Sequence, residues 1–329
     1  MTNHADTDRD STAVEEVYLG IDTSCYTTSV MFMDRQGRAV SEARRILKVK
    51  PGHCGLQQSE MVYQHTRNLP DLMEQAAQGH TFRLLGIGVS SRPRPLVDSY
   101  MPAFLAGHGL ARSLAALYRV PLWEISHQEN HLEAALWSAG GPRADRFLFL
   151  HASGGTTDLL LAEHVDGRYR LTPVGTSIDL HAGQFVDRIG VALGLQFPAG
   201  PALEQLAARH TEIPELPVAV HGTEVSLSGP CTAALRALDK GMAPADLAAG
   251  VQYVLGETFV RMIRNGAARY GVDEVLLAGG VASNGWIRGH VTEKLAKRRI
   301  RTWFAEARYS CDNPAGCAAY AVRHGEGDN

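Results

Sequence analysis

Short apolar runs rich in β-branched and aromatic residues alternate along the chain with longer helix-like stretches. The short runs predict strands, and the longer stretches predict helices. Helices are expected at 61–77, 102–117, 128–137, 243–270 and 286–297. This alternation predicts an α/β protein.

Two segments, 18–34 and 147–164, share one design: an apolar strand, a tight turn of Gly, Ser and Thr, and a second apolar strand. The N–H groups and hydroxyls of such a turn can bind phosphate, although an ordinary hairpin has the same pattern. Because the design recurs roughly 130 residues apart, we expect two similarly built lobes with a boundary near 138–146. The expected divisions are a tail at 1–16, lobes at 17–140 and 141–324, and a tail at 325–329.

A third glycine-rich turn lies in 275–291, where a buried-looking strand passes through Gly279 and Gly280 into a helix. Backbone without Cβ atoms can approach a ligand closely there. The spacing is not G-x-G-x-x-G, and no acidic residue follows at the position for a ribose, which excludes a dinucleotide-binding fold. Asn284 either caps the helix or faces a nucleotide.

Composition narrows the function classes. The 329 residues are 45% apolar and 20% charged, which is typical of a globular protein. A net charge of −3 means that any nucleic-acid contact is local, and the basic stretch 294–301 either follows RNA phosphates or forms a solvated helix end. The five cysteines show no C-x-x-C pair, and no run of 18 apolar residues occurs, so we expect reduced thiols, no membrane span and a cytoplasmic location.

His127 and His131 enclose the stretch HQENH. Residues four apart share one face of a helix, so that two imidazoles can point at one ion. The pair is weak evidence by itself, since a chain with 14 histidines contains such pairs by chance. The glutamate stands third rather than second in the stretch, so the general base of a zinc-protease helix is missing.

A metal held by two histidines needs a further protein ligand, for which a carboxylate is suitable. Asp312, in the stretch SCDN at 310–313, is the candidate. An Ala- and Gly-rich stretch follows it, so the same residue is also suited to cap a helix. Spacing alone does not decide between these roles.

Seven stretches, over roughly residues 17–323, occur in an order that resembles the TsaD-type tRNA N6-adenosine threonylcarbamoyltransferase family, a glycoprotease-like branch of the actin-like superfamily. They are DTSC at 22–25, HQENH at 127–131, SGGTT at 153–157, GQFVDR at 183–188, FPAGP at 197–201, GGVASN at 279–284 and SCDN at 310–313.

The resemblance implies two actin-like lobes, each a mixed sheet flanked by helices, with a central cleft. It implies that His127, His131 and Asp312 bind one divalent metal ion, for which Fe²⁺ is expected and Zn²⁺ is the alternative. The family's contacts to threonylcarbamoyl-AMP correspond here to His151, Ala152, Ser153, Gly154, Gly155, Asp187, Gly200 and Asn284. No residue is assigned as the catalytic acid or base.

The implied reaction moves a threonylcarbamoyl group from threonylcarbamoyl-AMP to N6 of the adenosine next to the anticodon of tRNA. A weak amine nucleophile attacks the carbamoyl carbon, and a divalent ion can polarise the carbonyl or hold the phosphate. The implied partners are tRNA, a non-catalytic paralogue and a small ATPase.

The chain departs from the family pattern near the expected acceptor. Tyr26 and Thr27 replace an Asp-Glu pair, and Thr156 replaces a histidine. Arg92 and Arg94 flank Pro93 where the family has a glycine-rich turn; two guanidiniums there can contact the acceptor or an anion, although a solvated turn is the alternative. These changes indicate a divergent paralogue. Transfer to tRNA is still the first interpretation of the chain. The alternatives are a paralogue that transfers a carbamoyl-type group to another acceptor and a catalytically silent nucleotide-binding partner of a true transferase.

Overall fold

The structure, a computed structural model, describes residues 14–24, 26–49, 56–96 and 98–327. Its strands are β1 (Val14–Asp22), β2 (Thr27–Asp34), β3 (Ala39–Ile46), β4 (Thr81–Arg92), β5 (Leu122–Ser126), β6 (Arg146–Ala152), β7 (Thr157–Val165), β8 (Arg168–Thr176), β9 (Ala219–His221), β10 (Glu224–Ser226), β11 (Glu274–Ala278) and β12 (Arg301–Phe304). Its helices are α1 (Gln58–Ala77), α2 (Phe104–Tyr118), α3 (His127–Ala139), α4 (Ala182–Ala192), α5 (Gly200–Ala207), α6 (Ser228–Asp239), α7 (Pro244–Tyr270), α8 (Gly285–Ala296) and α9 (Ala315–Gly325).

The chain divides into two compact units, one ending at Asn130 and resuming at Asp312, the other comprising His131–Cys311. This division differs from the expected boundary at 140, and it assigns the last helix to the first unit rather than the second. The structure also differs from the expected tail at 1–16, because β1 already begins at Val14. The remainder of that tail, residues 1–13, lies outside the described residues.

The first unit is built on a five-stranded mixed sheet in the order β3-β2-β1-β4-β5. β1, β2 and β3 are antiparallel neighbours, whereas β4 runs parallel to both β1 and β5. Apolar side chains of the central strands pack against Leu69 and Leu72 of α1 and Ala111 of α2 to form its core. The expected hairpin at 18–34 is confirmed as β1 and β2.

Two glycines explain why the C-terminal helix belongs to the first unit. Gly20 of β1 and Gly88 of β4 are partners in adjacent parallel strands. A Cβ at Gly20 would lie 2.4 Å from the Pro314 carbonyl oxygen, and one at Gly88 would lie 2.0 Å from that of Cys317. Only residues without side chains admit the backbone of α9 at this distance. The sheet therefore receives a helix that is almost 300 residues away in the sequence.

The second unit is built on a five-stranded mixed sheet in the order β12-β11-β6-β7-β8. β6 and β7 form the second expected hairpin, and β11 runs parallel to β6 and β12. The buried residues of α7 and the apolar faces of α4, α5 and α6 form the main core. Two mixed sheets with helices confirm the α/β prediction, and helices α1, α2, α3, α7 and α8 occupy the five stretches where helices were expected.

Candidate functional site

The helix that carries the histidine pair begins with a capping box. The Ser126 backbone N–H donates to Glu129 Oε2 at 2.6 Å, and the Glu129 N–H donates to Ser126 Oγ at 3.2 Å. This reciprocal pair satisfies two backbone donors at the helix start. Glu129 therefore has a structural role, and α3 begins at His127 with that imidazole in its first turn.

The structure brings together the three expected metal ligands. One ligand atom from each of His127, His131 and Asp312 lies within 4.8 Å of the others. His127 Nε2 is 3.5 Å from Asp312 Oδ1, and the two histidines are one turn apart on the continuous helix α3. The division between the units falls inside this helix, after Asn130. Asp312 is not the cap of α9, since Pro314 occupies the capping position.

A buried carboxylate lies behind His127. Asp22 Oδ1 is 3.8 Å from His127 Nδ1, while Asp22 also accepts hydrogen bonds from the hydroxyl of Ser24, at 2.6 Å, and from that of Ser90. Burial by itself lowers the pKa of His127, but the carboxylates of Asp22 and Asp312 outweigh it and raise the pKa. A carboxylate that faces the second ring nitrogen of a ligating histidine fixes its tautomer and orientation.

Asp22 was not expected from the sequence as part of this site. The available signal was an acidic residue at the end of an apolar strand, within the DTSC stretch. Cys25 of that stretch lies outside the described residues.

Asn130 ties the first turn of α3 to the segment that carries Asp312. Its Nδ2 donates to the Asn313 carbonyl at 2.7 Å, and its Oδ1 accepts from the Cys317 N–H at 2.9 Å. The side chain is fully buried. A Cβ at Gly316 would lie 1.9 Å from the Asn130 carbonyl oxygen, so the approach requires glycine. These contacts hold the segment beyond Asp312 against the helix that carries His127.

This donor set fits a divalent metal ion. Two imidazoles and one carboxylate form the two-histidine, one-carboxylate set that leaves coordination positions open, and it accepts iron or zinc. The buried Asp22 supplies the outer partner that such histidines need. The three ligands and Asp22 therefore have the chemistry of a metal centre.

In the second unit, the turn between β6 and β7 rests on the start of α4. The Ser153 N–H donates to the Thr156 carbonyl at 2.8 Å, and the Gly183 N–H donates to the Ser153 carbonyl at 3.1 Å. A Cβ at Gly183 would lie 2.5 Å from Gly154 Cα, so this contact also requires glycine. A Cβ at Gly154 or Gly155 would meet no atom within 4 Å. The backbone of these two residues is thus open on one side to a ligand.

The strand before this turn carries two more of the expected contacts. His151 is buried on β6, with its ring centroid 4.5 Å from that of His131. The Ala152 carbonyl accepts from the Val281 N–H at 3.1 Å, which joins the turn between β6 and β7 to the third glycine-rich turn. Gly279 has φ +104°, and a Cβ there would lie 2.1 Å from that same carbonyl oxygen. Two of the glycine-rich turns are therefore packed together in this unit.

Asp187 and Asn284 each use one oxygen for structure. Asp187 Oδ1 accepts from the Ala199 N–H at 2.8 Å, which holds the FPAGP loop just before α5 begins at Gly200. Asn284 caps α8 by accepting from the Ile287 N–H at 2.9 Å, as one of its two expected roles. Their contacts to a nucleotide stay predictions.

The residues that depart from the family pattern are also placed. Tyr26 is partly exposed at the turn before β2, and Thr27 begins that strand. Arg92 ends β4, and Arg94 is exposed in the following turn.

The basic stretch 294–301 is largely neutralised. Three of its cations form ion pairs with carboxylate oxygens. The distances are 3.7 Å from Lys294 Nζ to Glu257 Oε1, 2.6 Å from Lys297 Nζ to Glu293 Oε1 and 3.2 Å from Arg301 Nη1 to Glu274 Oε1. Within the described part of the chain, only the adjacent Arg298 and Arg299 of this stretch lack an ion-pair partner. This arrangement favours the solvated helix end over a track for RNA phosphates.

The fold resembles two kinds of solved structure. Component A of the (R)-2-hydroxyglutaryl-CoA dehydratase of Acidaminococcus fermentans has a TM-score of 0.55 and 18% identity, covering 95% of this chain and 100% of its own. A ROK family glucokinase from Streptomyces griseus, in complex with glucose and AMPPNP, has a TM-score of 0.50 and 11% identity, covering 92% of this chain and 98% of its own. The protein thus has the actin-like ATPase and sugar-kinase fold.

The sequence comparisons are more specific. The profile of the TsaD family, tRNA N6-adenosine threonylcarbamoyltransferase, matches residues 58–319. Proteins of that name from Methanopyrus kandleri and Thermus thermophilus are 32% and 33% identical, over 91% and 93% of this chain and 85% and 92% of their own lengths. The chain belongs to this family of transferases.

A relative from Thermoplasma acidophilum, described as a probable bifunctional tRNA threonylcarbamoyladenosine biosynthesis protein, is 27% identical over 90% of this chain and 54% of its own length. None of the described helices is long and apolar enough to cross a membrane.

Proposed function

We propose that this protein transfers a threonylcarbamoyl group from threonylcarbamoyl-AMP to N6 of adenosine next to the anticodon in tRNA. The observation that carries the proposal is the grouping of His127, His131 and Asp312, with Asp22 behind His127. A chain that retains the whole ligand set of a metal centre, in a transferase family, is better suited to catalysis than to a silent scaffold.

In this reaction the N6 amine attacks the carbamoyl carbon, the bond from that carbon to the phosphate oxygen breaks, AMP leaves, and the amine proton passes to solvent. A divalent ion, iron first and zinc as the alternative, would supply Lewis-acid polarisation of the carbonyl when bound by His127, His131 and Asp312. Asp22 keeps the His127 ring oriented for ligation.

The second unit supplies candidate nucleotide contacts. The open backbone at Gly154 and Gly155 can donate N–H groups to the phosphate, which becomes more negative as AMP leaves. Asp187 has one oxygen bonded to Ala199, so its other oxygen is suited to accept from a ribose hydroxyl. His151, Ala152, Ser153, Gly200 and Asn284 complete the proposed set. The partners proposed are tRNA, a non-catalytic paralogue and a small ATPase, in the cytoplasm.

The test is complementation of cells depleted of their own enzyme, supplied with compatible partner proteins. Threonylcarbamoyladenosine in bulk tRNA is measured by mass spectrometry. We expect the wild-type chain to restore the modification, and His127→Ala and Asp312→Ala to lose it. His210→Ala, a histidine outside the site, should restore it as the wild type does.

A folded, metal-loaded protein that restores no modification would contradict the proposal. That outcome would favour a second candidate, transfer of a carbamoyl-type group to another acceptor. The specific observation behind this candidate is that Tyr26 and Thr27 stand in place of two carboxylates, and that arginines replace a glycine-rich turn.

A further inference from the structure

We propose that Arg92 and Arg94 form an oxyanion-binding site beside the metal ligands, which holds a charged group of the substrate. The inference rests on the proposed function and deepens it, since it names the group that this chain recognises. It concerns residues of the first unit only.

The backbone places the Arg-Pro-Arg turn against the start of the ligand helix. Arg92 is the register partner of Ser126, the residue that caps α3. The next carbonyl, that of Pro93, accepts from the Gln128 N–H at 3.2 Å. Ser126 and Gln128 are the two chain neighbours of His127, so the turn is attached on both sides of the first expected metal ligand.

The two guanidiniums differ from most arginines around them in having no carboxylate partner among the described residues. Elsewhere in the first unit the arginines of the strands and of the turn between β2 and β3 are paired with carboxylates: Arg35, Arg38, Arg44, Arg45 and Arg83. By contrast, across the described residues neither Arg92 nor Arg94 has an ion-pair partner. Arg92 donates to the neighbouring Ser91 hydroxyl at 3.3 Å, and Arg94 is bonded to Ser99 through its backbone N–H.

Two guanidiniums without a carboxylate partner among the described residues leave their donors available to an anion. The turn that carries them contacts the start of α3, where the backbone already contributes partial positive charge. A planar guanidinium binds a carboxylate or phosphate through two parallel hydrogen bonds, and Pro93 restricts the backbone between the two. An oxyanion would offset both the helix end and the two side chains.

The proposed reaction offers two sources of that chemistry. One is a phosphate of the RNA acceptor, and the other is the carboxylate of the threonylcarbamoyl group. Both would place a negative group next to the reacting carbon and the metal ligands. The test must therefore distinguish them.

The experiment measures equilibrium binding, so that it does not depend on transfer. One probe is a labelled anticodon stem-loop RNA, titrated by fluorescence anisotropy at several salt concentrations. The other is N-carbamoyl-L-threonine, a stable mimic of the transferred group, titrated by calorimetry. The variants are Arg92→Gln, Arg94→Gln and the double variant, with Arg112→Gln, an exposed arginine of α2, as the matched control.

We expect the double variant to bind one probe at least about tenfold more weakly, because charge-assisted hydrogen bonds are lost. If the anion is an RNA phosphate, the slope of the logarithm of the RNA-binding constant against the logarithm of the salt concentration should also become shallower by about one for each arginine removed. If it is the carboxylate, only the binding of N-carbamoyl-L-threonine should weaken. Arg→Lys variants keep the positive charge but lose the planar guanidinium. Their affinity for the probe should therefore lie between those of the wild type and the double Gln variant.

Equal binding of both probes by the double variant, the control and the wild type would overturn the proposal, as would a wild-type protein that binds neither. These outcomes are separable from failure of the proposed function. Restored tRNA modification with unchanged probe binding rejects only the oxyanion site, whereas arginine-dependent probe binding without modification rejects only the proposed transfer to tRNA.

Discussion

The side-chain carbonyl of Asn130 accepts a hydrogen bond from the backbone N–H of Cys317, 187 residues further along the chain, at 2.9 Å. The same side chain donates to the carbonyl of Asn313. One buried amide thus fastens the segment after Asp312 to the helix that carries His127. The geometry of the candidate metal centre depends on a residue that is not itself a ligand.

Asn130→Ala should therefore affect both stability and metal binding. It removes two buried hydrogen bonds and leaves an N–H and a carbonyl without partners, so we expect a loss of about 3 kcal/mol in the free energy of unfolding. Metal affinity should fall at least about tenfold, as for other supporting residues of metal sites. Urea unfolding and calorimetric metal titration measure the two effects.

Asn265→Ala is the matched control for this substitution, since Asn265 donates one exposed hydrogen bond to the Gly222 carbonyl. It should change neither quantity appreciably. Unchanged metal affinity in a folded Asn130→Ala protein would show that Asn130 does not position Asp312.

His127→Ala, His131→Ala and Asp312→Ala should each remove the bound metal, because three protein ligands leave no redundancy in the set. The measurement is metal content by mass spectrometry after loading with Fe²⁺ under anaerobic conditions or with Zn²⁺. His210→Ala serves as the control. Metal retained at wild-type stoichiometry by all three variants would rule out this site.

Asp22→Asn should weaken the site without abolishing it. The variant keeps a hydrogen-bonding group near Ser24 and Ser90 but removes the negative charge that faces His127 Nδ1. Metal affinity should fall about 10- to 100-fold, measured by competition with a chelator. An affinity equal to that of the wild type would show that Asp22 is not the outer partner of His127.

Gly183→Ala should displace the turn that carries the candidate phosphate contacts. The added Cβ would lie 2.5 Å from Gly154 Cα, and a backbone atom can move away only at a substantial energetic cost. We expect a destabilisation of about 1–3 kcal/mol and weaker binding of AMP. Gly229→Ala, also at a helix start but with no atom within 4 Å of the new Cβ, is the control. Equal effects of the two substitutions would contradict the close packing.

Asp179 should contribute a pH-dependent part of the stability of the second unit. Burial acts to raise its pKa, but the hydroxyls of Ser226 and Ser228 and the N–H groups of Leu180 and Leu227 outweigh it and hold the pKa well below the usual value. The carboxylate thereby anchors the start of α6.

Because the pKa of Asp179 is lowered on folding, its stabilisation is complete above the unfolded pKa of about 3.9 and is lost as the pH falls below it. In Asp179→Asn this loss should be absent. The difference in unfolding free energy between the two proteins should therefore be constant between about pH 5 and 7 and begin to narrow towards about pH 3, since the rest of the loss follows at lower pH, nearer the folded pKa. A difference that does not change with pH would contradict this role.

Local patterns along the chain were sufficient to predict much of the fold. The two hairpins at 18–34 and 147–164 and the five helical stretches are encoded by the alternation or periodicity of neighbouring residues, which acts over a few positions. The ligand pair His127 and His131 was readable for the same reason, since helical spacing alone puts both on one face. The order of seven motifs indicated the family.

Only the tertiary structure placed what is distant in sequence. The return of α9 onto the first sheet depends on Gly20 and Gly88. Nothing near either glycine in the sequence indicates a contact with that helix, which lies almost 300 positions after Gly20 and more than 200 after Gly88. That return brings Asp312 to His127, while Asn130 and Asp22 gain their roles from contacts across 183 and 105 positions. Such contacts arise when complementary buried surfaces pack, and no short window of sequence contains both partners.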